Sequence, residues 1–153
     1  MFECSEGTVF AADAFLPKLQ TSASEEGAST EAQPTSPRIL VVDDERLVAD
    51  TLVEILNSEG YQVSAAYDGW TALEAAGRFR PDYLLSDVLM PRMNGVELAI
   101  AMRNLHPAVK IFLFSGQAGI SEILLDGQRR GYEFELIAKP IHPLKLIERL
   151  RQQ

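Results

Sequence analysis

With 153 residues, 46% of them hydrophobic and 24% charged, the chain has the make-up of one soluble globular domain, able to bury roughly 70% of its unfolded surface. A net charge of −8 offers no basic surface to nucleic acid or to an anionic membrane. The single cysteine, Cys4, excludes an internal disulfide and any cysteine-rich metal site, which fits a reducing, cytoplasmic setting, and no apolar run nears the roughly 18 residues of a membrane span.

The charge is unevenly spread. Residues 1–37 hold six acids (Glu3, Glu6, Asp13, Glu25, Glu26, Glu31) against one base, Lys18, and so carry −5. Within them, 20–37 contain no large apolar side chain. Such a segment cannot bury enough surface to offset its ordering entropy, so a disordered linker is expected. Upstream, Val9, Phe10, Phe15 and Leu16 form a small apolar patch that Asp13 interrupts and no basic segment precedes. That argues against a secretory signal, and the patch is read as part of an unstructured tail, with a docking segment as the alternative. The expected division is a leader and linker over 1–37 and a folded domain over 38–153.

From Arg38 the texture changes. Ile39-Leu40-Val41-Val42 is a short buried strand ending on Asp43-Asp44-Glu45, and Leu47, Val48, Leu52, Ile55 and Leu56 then follow helical spacing on one face. The run 61–66 predicts a second strand. Asp68-Gly69 turns into a helix carrying Trp70, Leu73 and Phe79. Tyr83-Leu84-Leu85 has the make-up of a strand buried on both faces and runs out at Asp87, with Pro91 and Asn94-Gly95 marking a loop and helix start. Val96, Ala99, Ile100 and Met102 belong to that helix, which Pro107 ends. Lys110-Ile111-Phe112-Leu113-Phe114 is a fourth strand, ending at Ser115-Gly116. A helix over 120–130 follows, interrupted by Gly127. Phe134-Glu135-Leu136-Ile137-Ala138 is a fifth strand, ending at Lys139-Pro140, and Pro143 opens a last helix carrying Leu144, Ile147 and Leu150.

Five strands alternating with five helices on short connections predict a doubly wound α/β sandwich with a parallel sheet in the order 2-1-3-4-5. Its ligand crevice would lie at the carboxyl edge, between strands 1 and 3. There the ends carry Asp43-Asp44, Asp87, Ser115 and Lys139. Crowded carboxylates raise one another's pKa, and a hard cation and a nearby ammonium both relieve the repulsion. Oxygen donors without sulfur or imidazole point to Mg²⁺ or Mn²⁺. Lys139 and Ser115 suit a set of phosphoryl oxygens. The chemistry that uses all of these is phosphoryl transfer onto a carboxylate.

Four motifs in order (Val42-Asp43-Asp44-Glu45, Asp87-Val88-Leu89-Met90-Pro91 with Asn94-Gly95, Ser115-Gly116, and Lys139-Pro140) make the segment over about 38–151 resemble the receiver domain of two-component response regulators, of the CheY-like superfamily. The resemblance implies that Asp87 is the phosphoacceptor, taking phosphate from a histidine kinase or phosphotransfer protein. It further implies that Asp44 is a direct metal ligand with Asp43 beside it, often acting through water, and that Asp87 and the backbone carbonyl of Leu89 complete the set. Ser115 matches the hydroxyl that moves toward the phosphoryl group, Lys139 the lysine of the site, and Lys139-Pro140 a bond that is cis in the family. One departure stands out: Leu136 occupies the place, three residues before the lysine, where an aromatic switch residue is common, and Phe134 lies two residues upstream.

Two rivals come from other classes. An Asp-nucleophile phosphatase looks for a second acid two residues after the nucleophile, and Leu89 stands there. A phosphate-independent interaction module would not need the acid-serine-lysine set. The expectation is a receiver without an attached DNA-binding or catalytic module, a fragment of a longer protein being the alternative. The expected output is therefore through a partner protein or onward phosphorelay, with no enzymatic activity beyond the domain's own phosphorylation and dephosphorylation. His106 is read as a capping or surface residue and His142 as a loop histidine near the Lys139-Pro140 turn.

Overall fold

A computed structural model describes residues 35–116 and 120–153; the leader up to residue 34, most of the expected linker, and Gln117 lie outside them. Ten elements alternate: β1 (Arg38–Val42), α1 (Arg46–Ser58), β2 (Gln62–Ala66), α2 (Gly69–Phe79), β3 (Tyr83–Asp87), α3 (Gly95–Leu105), β4 (Lys110–Ser115), α4 (Ser121–Arg129), β5 (Glu135–Ala138) and α5 (Pro143–Arg151). The strands pair in parallel in the order β2-β1-β3-β4-β5, the doubly wound arrangement that the sequence pattern predicts. Among the described residues, no helix is long and apolar enough to cross a membrane.

Strand parity divides the core. Ile39, Val41, Leu85, Phe112 and Phe114 face α1 and α5, while Leu40, Val42, Leu84, Ile111 and Leu113 face α2, α3 and α4. Because side chains alternate along a strand, central strands covered on both faces need apolar runs. Strands β1, β3 and β4 supply them as Ile39–Val42, Tyr83–Leu85 and Ile111–Phe114, with Ser86 the one buried polar residue among them. Removing one such side chain, as in Phe112→Ala, costs about 3–5 kcal/mol.

Three large apolar residues expected on buried helix faces point outward. Leu47, Trp70 and Leu144 are 80%, 62% and 79% exposed. On α1 the buried face is Ala49, Leu52 and Leu56, and on α2 it is Gly69, Ala72 and Ala76. Small residues let α2 lie close to the sheet, so its face is set by alanine and glycine rather than by its tryptophan. Gly127 does not interrupt α4; it is the buried residue of that helix. A Cβ there would stand 2.8 Å from Val96 Cγ1, so glycine permits close approach of α4 to α3.

The helix ends are set locally. Asp68 caps α2 by accepting from the Thr71 amide at 2.8 Å. Asn94 and Glu97 form a reciprocal capping box at the start of α3, which fixes where the loop after β3 must end. His106 sits at the C-terminal cap of α3, its amide bonded to Met102 O at 2.8 Å. His142 precedes Pro143 at the start of α5 without a side-chain cap.

Candidate functional site

Strand register brings the four motifs together. Val42 pairs with Ser86, Asp87 with Phe114, and Ser115 with Ala138, so the residues that end each strand emerge level with one another. Backbone bonds continue past the strands: Val88 N–H donates to Phe114 O at 3.1 Å and Lys139 N–H to Ser115 O at 2.9 Å. Lys139 is thereby tied to the end of β4. The following Lys139-Pro140 bond is cis.

The result is a polar cleft of about 290 Å³ lined by Asp44, Glu45, Asp87, Leu89, Ser115 and Lys139, among others. Asp43 lies beneath it and is fully buried, whereas Asp44 is exposed. The Lys139 ammonium stands 3.3 Å from Asp87 Oδ2 and 3.6 Å from Asp43 Oδ2. Asp43 Oδ1 accepts from the Glu45 amide at 2.9 Å. Its Oδ2, by contrast, has no hydrogen-bond partner among the described residues.

Electrostatics follow from this packing. Burial raises the Asp43 carboxyl above its ordinary value, and the neighbouring Asp87 and Asp44 add to the rise, against the opposing pull of the Glu45 amide and the Lys139 ammonium. Burial works the other way on Lys139, yet the attraction of Asp43 and Asp87 outweighs it and holds the ammonium above its ordinary value. That outcome is reasonable, since opposite charges about 4 Å apart attract by about 4 kcal/mol at an effective dielectric of 20, and two carboxylates act together.

The residues fit a hard divalent cation. Asp43, Asp44 and Asp87 each offer an oxygen, and these lie within 4.8 Å of one another. Three carboxylates against one ammonium leave two negative charges. The Asp43 oxygen, which has the ammonium 3.6 Å away but no hydrogen bond among the described residues, is the kind of buried group a cation would satisfy.

Asp43, Asp44, Asp87, Leu89, Ser115 and Lys139 therefore meet at one edge, with a few additions. Glu45, within the acidic triplet but given no role, lines the cleft, as do Phe114 and Ile120. Gly116 passes close under the lysine, where a Cβ would stand 2.6 Å from Lys139 Cβ. His142 lines a separate groove with Leu136, Lys145 and Arg149. Leu136 is half-exposed on the edge strand β5, while Phe134 stacks on Tyr132 at 6.1 Å with the Arg103 guanidinium 5.6 Å from its ring.

Comparison with known proteins agrees with this architecture. The family described as response regulator receiver domain matches residues 39–151. Response regulator MprA of Mycobacterium ulcerans is 37% identical over 118 residues, covering 76% of this chain and 49% of that protein; MprA of Mycobacterium leprae is similarly 37% identical over 116 residues. The chain thus spans about half the length of these curated relatives. Among solved structures, a CheY-like response regulator receiver domain protein from Methanospirillum hungatei is 29% identical with a TM-score of 0.69, over 77% of this chain and 93% of that one. A two component transcriptional regulator AraC from Clostridium phytofermentans is 35% identical with a TM-score of 0.64, over 76% and 90%. With the fold, the strand-end acids and the lysine all in place, the chain belongs to the response regulator receiver domain family and carries the receiver region of a two-component response regulator.

Proposed function

We propose that this receiver is a phosphorylation switch in which Asp87 accepts a phosphoryl group from the phosphohistidine of a histidine kinase or phosphotransfer protein, with Mg²⁺ or Mn²⁺ as cofactor. The observation that carries this reading is the Lys139 ammonium 3.3 Å from Asp87 Oδ2, at the mouth of a cleft that also holds Ser115 and two further carboxylates. An Asp87 oxygen would attack phosphorus in line as the P–N bond breaks, its electron pair returning to nitrogen, and the imidazole would leave as the neutral ring, keeping the proton already on its other nitrogen. Lys139 would neutralise charge on the transferring oxygens and Ser115 would donate a hydrogen bond to one of them. Asp43, Asp44, Asp87 and the Leu89 carbonyl would hold the cation, whose chemistry is to offset the remaining negative charge.

The kind of donor has support of its own. An apolar groove of about 420 Å³, lined by Leu47, Val48, Leu52, Ile55, Ile141 and Pro143, shares Glu45 and Lys139 with the cleft. A helical partner presenting a phosphohistidine would cover the exposed Leu47 while bringing its phosphorus to Asp87. The domain is read as acting on its own phosphoryl state only. No acid stands at position 89 to serve a dedicated phosphatase.

The test is intact mass after incubation with acetyl phosphate. Wild type should gain one phosphoryl group in Mg²⁺ and none with EDTA, and Asp87→Asn should gain none. Equal labelling of both proteins would remove Asp87 from its role.

A further inference from the structure

We propose that Gly95 is a positioning residue for phosphoryl transfer, because its missing side chain lets the first turn of α3 press directly on the Asp87-Val88 peptide. This inference rests on the reading of Asp87 as phosphoacceptor. A Cβ at Gly95 would lie 2.2 Å from the Asp87 carbonyl oxygen, and 2.9 Å from both Asp87 C and Val88 Cα. These are backbone atoms at the end of a buried strand and cannot swing aside as a side-chain tip would. Ordinary contact is about 3.5 Å or more, so an added methyl must move this peptide or the helix start by about 1 Å.

Hydrogen bonds hold Val88 from both sides, and a capping box fixes the helix start beside it. Gly95 N–H donates to Val88 O at 2.8 Å, Val88 N–H donates to Phe114 O at 3.1 Å, and Asn94 and Glu97 hold the helix start in their capping box. Strand β4 therefore grips Val88 from one side and α3 from the other. The loop between carries Leu89 and includes Arg92 in the left-handed region at φ 70°. Its geometry is fixed at both ends rather than by its own preference.

The sign of the effect separates this role from a merely structural one. Gly95 is the first residue of α3, and no positive φ is required there. By helix propensity alone, alanine at that position would be neutral or stabilising. By the contact, alanine shifts the Asp87 carboxyl relative to Lys139, and a misplacement of about 1 Å can cost about 100-fold in rate.

The experiment compares wild type, Gly95→Ala and Gly77→Ala in the full chain; a Cβ at Gly77 meets nothing within 4 Å. Two quantities are read: the rate of phosphoryl gain from acetyl phosphate by intact mass, and the rise in melting temperature on adding Mg²⁺. Gly95→Ala is expected to fold by circular dichroism, to gain phosphate at least about tenfold more slowly, and to lose most of its thermal response to Mg²⁺. Gly77→Ala should match wild type in both. A Gly95→Ala protein that equals wild type in rate and Mg²⁺ response overturns the inference. Should Gly95→Ala not fold, amide exchange at Gly95 in the wild-type protein decides: exchange slowed several-fold by Mg²⁺ with beryllofluoride supports the coupling, and unchanged exchange overturns it. A wild type that takes up neither phosphate nor Mg²⁺ removes the reading of Asp87 itself, and this inference with it.

Discussion

The Lys139 ammonium lies 3.6 Å from Oδ2 of Asp43, an oxygen that is buried and has no hydrogen-bond partner among the described residues. Lysine thus serves the resting site as a counter-charge, apart from any part in transfer. Removing it by Lys139→Met strands a buried carboxylate beside two others. The metal-free domain should lose about 1–3 kcal/mol, the usual cost of an unsatisfied buried polar group, because Lys139 is partly exposed and the loss falls short of a fully buried pair. Urea unfolding in EDTA measures this. The double variant Lys139→Met with Asp43→Asn should recover most of the loss, and a double variant no better than the single would contradict the pairing.

The acidic trio should oppose folding whenever no cation is bound. Neutralising one member, by Asp87→Asn or Asp43→Asn, should stabilise the metal-free protein by about 0.5–2 kcal/mol, within the usual span of single substitutions. Mg²⁺ at millimolar concentration should raise the wild-type melting temperature by ligand linkage and do so far less for either variant. A wild type indifferent to Mg²⁺, together with variants less stable than it, would show that the carboxylates are not in conflict.

The same crowding sets a pH dependence. Burial holds the folded-state pKa of Asp43 above its ordinary 3.8, so the folded chain binds more protons there than the unfolded chain. Its contribution to stability is present in full below about pH 3.8 and is lost as pH rises through the folded value. In EDTA, the advantage of Asp43→Asn over wild type should therefore be largest at pH 7 and shrink toward pH 4. Chemical unfolding of both proteins across that range is the measurement, and a gap that widens in acid would reverse the assignment.

Far from the cleft, Arg80 ends α2 in the left-handed region at φ 52°, its amide bonded to Ala76 O. A side chain with a Cβ is strained there, and glycine is not. Arg80→Gly should raise stability by about 0.5–1 kcal/mol, with phosphorylation unchanged. A loss of stability in thermal melts would mean that the arginine side chain contributes more than its backbone costs.

How much of this was legible in the sequence depended on which neighbours a residue needs. A strand buried on both faces announces itself as an unbroken apolar run, and Tyr83, Leu84 and Leu85 are buried as that run requires. The acids were legible because they follow such runs closely. Lys139 instead follows the edge strand β5, where Glu135 and the exposed Leu136 break the run, and was legible from the strand-end Lys139-Pro140 pair. Helix faces were less so. Size alone suggested Leu47, Trp70 and Leu144 as core, but burial goes to whichever face meets the sheet, and alanines fill it on α2. Glu45 was visible as a third acid, yet its amide bond to Asp43 depends on the turn into α1. The contact of Gly95 with Asp87 and the bond from Lys139 to Ser115 span separate strands and helices. No local pattern encodes them; they appear only once the register is fixed.

The lifetime of the phosphorylated state should depend on Leu89. Hydrolysis of an aspartyl phosphate needs a water aligned in line with the Asp87 oxygen, and side chains flanking the cleft decide whether one can be held there. Leu89 lines the cleft beside Asp87, Ser115 and Lys139, and is itself half-buried. Its side chain has no group to orient water, and its bulk occupies space a water would need. Gln117, two residues after Ser115 in the sequence, lies outside the described residues. Leu89→Asn should speed loss of phosphate by several-fold to about tenfold, given how steeply rate depends on reactant placement. Leu89→Ala opens the space without adding a hydrogen-bonding group, so its increase should be smaller. Decay of the phosphorylated mass peak after removal of donor, at fixed Mg²⁺ and pH, measures all three. Because the group proposed to hold the cation at this position is the backbone carbonyl, neither substitution should alter the thermal response to Mg²⁺, which separates water access from loss of the site. An unchanged or slower decay in Leu89→Asn would show that the attacking water reaches phosphorus along a path that Leu89 does not touch.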